Sequence, residues 1–133
     1  ESMGRVIVDG GGDDAGATAL GRFSRPLNES GYDMLCVVNK FRKFISSPDE
    51  AVGLLGQIEA ACRLKATGLV NNSHLGAQTT AQDILSSVPY AEKTAELACL
   101  PLIYTTAPKS VAGELEGKID NLYPVDVLVK LPW

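Results

Sequence analysis

Val6-Ile7-Val8-Asp9-Gly10-Gly11-Gly12-Asp13-Asp14-Ala15-Gly16 is the stretch on which the fold of this chain turns. An apolar run long enough for one strand stops at an acid, passes through glycines and enters a helical pattern. Four more such runs end in turn residues, so strands are expected at Arg5 to Asp9, Asp33 to Asn39, Thr67 to Asn72, Pro101 to Thr106 and Val125 to Lys130. The first four lack polar alternation, as in Met34-Leu35-Cys36-Val37-Val38, which suits strands of a parallel sheet covered on both faces.

Helical patterns fill the gaps. Ala15, Ala19, Leu20 and Phe23 predict a first helix that ends before Pro26. Ser47-Pro48-Asp49-Glu50 supplies an N-cap, a Pro at the first helical position and a Glu three residues after the cap, followed by Ala51, Leu54, Leu55, Ile58, Ala61 and Cys62 at helical spacing. Thr80-Ala81-Gln82-Asp83 opens a third helix that Pro89 is expected to kink or split. Ser110 precedes Val111, Leu115, Ile119 and Leu122, a fourth. The order βαβαβαβαβ predicts a single α/β domain over residues 1–133, with a mostly parallel sheet flanked by helices. Ligands of such sheets bind outside the carboxyl ends of the strands.

Composition excludes several classes. A chain of 133 residues, 45% hydrophobic and 21% charged, has the apolar surface for one core. Its net charge of -4 offers no electrostatic footprint for nucleic acid. No run approaches the ~20 apolar residues of a membrane span, and no secretory pattern opens the chain. Cys36, Cys62 and Cys99 are odd in number and lie in apolar segments, so they read as buried thiols of a cytoplasmic protein.

The glycine loop has two chemical readings. As a dinucleotide-binding fingerprint, Gly10, Gly12 and Gly16 would bring backbone N–H groups to a pyrophosphate, as in a nicotinamide-dependent oxidoreductase. Asp9, Asp13 and Asp14 would then face phosphate charges with no cation in the loop. The other reading uses the acids: an Asp at the tip of an apolar strand holds Mg²⁺ beside a nucleotide, and the glycines let the loop respond to the terminal phosphate. Asp13 or Asp14 also suits the plain role of helix cap.

In this second form the segment resembles the switch II of the deviant Walker ATPases, the MinD/ParA/CobQ-type P-loop NTPases of the SIMIBI class. The D-x-x-G-D spacing of Asp9 to Asp13 is closest to that of the nitrogenase iron protein. The resemblance implies ATP and Mg²⁺ as ligands, Asp9 on the magnesium, Gly12 as the switch glycine on the nucleotide side and Asp13 as the catalytic, water-positioning group. Gly16 stands where the iron protein has a cluster cysteine, so no iron–sulfur cluster is implied. Thr67-Gly68-Leu69-Val70-Asn71-Asn72-Ser73 resembles the strand end whose Asn contacts adenine, pointing to Asn72 with Asn71 as close second. Thr106, Ala107 and Pro108 resemble the loop that closes over the base. A strand-end Asn that merely turns a loop fits these residues equally.

No G-K-G-G-x-G-K-[ST] phosphate loop occurs in these 133 residues, so the chain resembles the C-terminal half of that domain. In the family the loop-bearing strand lies between the Asp9 strand and its neighbour. An isolated half must therefore close the gap, swap a strand as a homodimer or other oligomer, or expose an edge. A binding or regulatory module that lost catalysis is the alternative. His74, the only His, reads as a surface residue. Lys40, Arg42 and Lys43 read as a solvated basic turn, and Tyr123, Pro124 and Leu131-Pro132-Trp133 as packing on the sheet edge.

Overall fold

A computed structural model describes residue 7 and residues 14–42, 45–75 and 78–126. The expected first strand and the segment carrying Asp9, Gly12 and Asp13 lie outside the described residues, apart from Ile7, which is exposed and in no strand.

Four strands, β1 (Leu35–Val38), β2 (Gly68–Asn71), β3 (Leu102–Pro108) and β4 (Leu122–Val125), form an all-parallel sheet in the order β1-β2-β3-β4. The crossovers carry α3 (Pro48–Cys62), α4 (Ala81–Ala98) and α5 (Lys109–Leu115). Ahead of them, α1 (Asp14–Gly21) and α2 (Ser24–Ser30) precede β1. Strands taken in sequence order and joined by right-handed crossovers place all their helices on one face. Val38 and Leu69 accordingly pack with Ala51 of α3 and Tyr90, Ala91 and Ala95 of α4, while Ala107 packs with Ile84, Ala112, Leu115 and Ile119.

The opposite face is uncovered. Leu35 and Val37 are 48% and 57% exposed, and Tyr104 and Tyr123 are 40% and 50% exposed. This corrects the expectation of strands covered on both sides: an unbroken apolar run records what a strand can bury, and here only alternate residues meet helices. On the open face Ile103 leans over Gly68, where a Cβ would stand 2.7 Å from Ile103 Cγ1 and 3.1 Å from Leu35 Cδ2.

The second crossover helix forms as expected. The Ser47 hydroxyl accepts from the Glu50 N–H at 3.2 Å, and the Glu50 carboxylate accepts from the Ser47 N–H at 3.2 Å. An equivalent capping box joins Thr80 and Asp83 at the start of α4. Pro89 does not split α4, which runs unbroken for 18 residues. Its ring is exposed, while Ile84, Ser87, Tyr90, Ala91, Thr94 and Ala95 bury one stripe against the sheet and α3; that packing outweighs the ~3 kcal/mol local penalty of an interior Pro.

Three boundaries differ from expectation. The first helix is two: α1 buries Ala17 and Gly21 against α3, the chain turns at Arg22–Phe23, and Phe23 and Ala19 face solvent. Pro26 sits in the first turn of α2, where its missing N–H has no intrahelical partner to lose. The fourth helix stops at Leu115, and Leu122 belongs to β4; Gly117 at φ 81° ends the helical path, yet Ile119 and Leu122 reach the same core by a turn. Of the strand expected at Val125 to Lys130, Val125 closes β4, and residues 127–133 lie outside the described residues. Tyr123 and Pro124 are β4 residues, the latter without an N–H to donate.

The cysteines also part company. Cys62 is buried and Cys36 partly so, but Cys99 is exposed at the left-handed cap of α4, with φ 58°. No helix among the described residues is long and apolar enough to cross a membrane.

Two glycines mark close approaches. A Cβ on Gly21 would lie 2.9 Å from the Ala61 carbonyl oxygen, and the Gly21 carbonyl accepts from Arg63 at 2.9 Å, so α1 seats directly on α3. Gly21→Ala and Gly68→Ala are each expected to lower unfolding stability by about 1–3 kcal/mol in urea titrations. Gly53→Ala, with nothing within 4 Å of the new methyl, is expected to raise it by up to about 1 kcal/mol.

Candidate functional site

At the carboxyl ends of β1 to β3 the chain turns through Asn39–Arg42, Asn72–Leu75 and Pro108–Lys109. Strand alternation sends the two adjacent asparagines of β2 and its exit to opposite faces. Asn71 is fully buried on the helical side; its Nδ2 donates to Ser87 Oγ at 2.9 Å, and its Oδ1 accepts from Ser73 Oγ at 2.6 Å. Ser87 in turn donates to the Ile84 carbonyl at 2.6 Å. Asn71 therefore ties β2 to α4 and does not reach an open surface, although the strand-end pattern makes it a close second for a base contact.

Asn72 is half-buried on the uncovered side. Its N–H donates to the Val38 carbonyl at 2.8 Å, and its Oδ1 accepts from Thr106 Oγ1. The structure thus brings together two of the expected base-side residues, from neighbouring strand ends. No partner for Asn72 Nδ2 occurs among the described residues, so two N–H donors remain beside a carbonyl oxygen with a second lone pair. Ala107 is not with them: it is fully buried in the core beside Ile84. Pro108 is half-buried and leads into α5 without a side-chain cap. Asp9, Gly12 and Asp13 lie outside the described residues, so their relation to Asn72 is not part of this geometry.

Beside this pair lies a latch that the apolar pattern did not reveal. Asn39 Oδ1 accepts from the N–H of Phe41 at 3.0 Å and of His74 at 3.3 Å, while its Nδ2 donates to the His74 carbonyl at 3.3 Å. The Lys40 N–H donates to Ser73 Oγ at 2.8 Å. These bonds join the β1 and β2 exit loops, and the only hint in the sequence is an Asn at a strand end, suited to bonding the backbone two residues on. Lys40 Nζ donates to the Ser86 carbonyl at 3.1 Å, so this cation braces α4 and is not simply solvated; Arg42 is exposed. His74 is exposed, as its loop position suggests.

Among the described residues no group of three or more His, Cys, Asp or Glu side chains could hold a metal ion. The donors present, a carboxamide and hydroxyls, suit the edge of a heterocycle better than a hard divalent cation, which takes carboxylates and water. A cleft of about 350 Å³ lies at the opposite, amino end of the sheet, between Val88, Glu92 and Ala95 of α4 and the turn Lys118–Asn121. Comparison of the chain with family models, curated proteins and solved structures gives no match.

Below the sheet, burial pushes the Cys36 thiol up from 9.0 to about 11, with the Glu59 charge adding to the shift. Burial also pushes the Tyr90 hydroxyl, which donates to the Ile45 carbonyl, from 10.0 to about 12, with Cys36 and Glu50 contributing. The unfolded chain loses these protons first as pH rises. Stability from the neutral thiol is complete below pH 9.0 and is lost as pH climbs toward about 11. The urea midpoint is expected to fall over that window, and Cys36→Ala to flatten the fall. At neutral pH the thiol reagent DTNB should titrate Cys99 first in the native protein. Asn71→Ala is expected to destabilise the fold by about 1–3 kcal/mol, since it leaves the Ser73 and Ser87 hydroxyls short of a buried partner; Asn72→Ala should fall within about 1 kcal/mol of wild type.

Proposed function

We propose that this chain supplies the base side of an ATP site of the deviant Walker, MinD/ParA/CobQ type, with Asp9 as its magnesium-side carboxylate, Gly12 as its switch glycine and Asp13 as its water-positioning group. The observation that carries this proposal is the Asn72 carboxamide, oriented by Thr106 at the carboxyl ends of adjacent parallel strands. Its outward N–H donors and remaining lone pair match the N7 acceptor and N6 amino donor of adenine. Thr106 holds the amide in one orientation before any ligand arrives, which lowers the ordering cost of binding. Ala107 and Pro108 act through the backbone, setting where Thr106 stands.

Two features of the sheet fit the same proposal. No described strand pairs with the outer edge of β1, the place that the resemblance gives to the loop-bearing strand. Without that loop and its Lys, the phosphates lack their main counter-charge, so this chain alone is expected not to hydrolyse ATP.

Titration with a fluorescent adenine nucleotide tests the proposal. Weak binding is expected, similar for AMP, ADP and ATP because base contacts dominate, and weakened about tenfold by Asn72→Ala. Phosphate release should stay at the buffer rate. Tight binding that depends on the terminal phosphate, or binding indifferent to Asn72→Ala, would overturn it.

A further inference from the structure

We propose that the uncovered face of the sheet is a self-association surface that seats a second copy of this chain, face to face about a two-fold axis. The inference is independent of the nucleotide site. The four exposed anchors, Leu35, Val37, Tyr104 and Tyr123, come from three strands and point the same way, with Val70 and Ile103 between them. Large contiguous apolar patches of this kind are rare on the surface of a stable monomer. All-parallel sheets are almost always covered on both faces.

The chemistry of the face selects the occupant. None of these six side chains carries a charge, whereas the whole chain has a net charge of -4. A basic peptide, a nucleic acid or an anionic lipid headgroup would find no counter-charge there. A second copy needs none: a two-fold axis through the face sets apolar surface on apolar surface and keeps the acids of the helical layer on the two far sides, beyond the ~8 Å reach of unscreened repulsion at physiological salt.

Size and anchors agree with that occupant. Four strands about 4.8 Å apart and roughly five residues long present on the order of 600 Å² of corrugated surface, so two copies bury about 1,200 Å², at the lower end of the range for stable complexes. Tyr104 and Tyr123 already pack against each other, with ring centroids 5.0 Å apart and planes tilted by 54°. They form a stiff aromatic centre that loses little side-chain freedom on docking, and their hydroxyls can still bond across the interface.

Sedimentation equilibrium of the full 133-residue chain over about 1–200 μM is the test, since an interface of this size gives micromolar dissociation. A concentration-dependent dimer is expected. Val37→Lys and, separately, Tyr123→Lys should each weaken it by at least about tenfold while leaving the circular dichroism spectrum and urea midpoint near wild type. Leu97→Lys, which alters an exposed leucine of α4 on the helical side, should leave the dimer intact. A wild type that stays monomeric throughout overturns the proposal. So does a dimer that survives both face variants, as pairing along the β1 edge would, or one that Leu97→Lys abolishes.

Discussion

Parallel strands that pair in the order in which the chain makes them leave no choice about where their connections go. Each right-handed crossover steps in the same direction, so α3, α4 and α5 all land on one side of β1 to β4. The rest of the structure follows from that constraint. Val38, Leu69 and Ala107 become core because they alternate toward the helices, while Leu35, Val37, Tyr104 and Tyr123 become surface because they do not. The same alternation separates Asn71 from Asn72 and gives two neighbouring, chemically identical side chains different work.

On the helical side, polar groups are consumed internally. Asn71, Ser73 and Ser87 satisfy one another, the Tyr90 hydroxyl meets the Ile45 carbonyl, and no buried side-chain nitrogen or oxygen among the described residues lacks a partner. A satisfied buried network stabilises a fold and offers nothing to a ligand. On the open side the balance is reversed. Asn72 and Thr106 bond each other and retain donor and acceptor capacity toward the carboxyl ends, where ligands of open α/β sheets bind.

Much of this architecture was legible in the residues. The capping box of Ser47 and Glu50, the apolar cores of β1 to β3 and the parallel α/β order are local signals, and local signals survive folding. The failures share a different cause. Pro89 marks a break on local grounds, but the buried stripe of α4 overrides it. Leu122 continues a helical spacing that Gly117 interrupts. The bare face of the sheet is invisible in the runs themselves, since an apolar residue carries no label for whether a helix meets it. At the site, residue type pointed to a strand-end Asn and to Thr106, but the choice between Asn71 and Asn72 depended on strand parity, which is set by where β2 begins.

Side-chain amide resonances test the central claim most directly, because the two asparagines report separately from opposite faces. In a nitrogen-15 spectrum of the protein, adding AMP should shift the Nδ2 hydrogens of Asn72 and leave those of Asn71, held by Ser87, unmoved. Movement of the Asn71 signals with Asn72 unchanged, or no movement of either at saturating nucleotide, would contradict the assignment of the open face as the base side of the site.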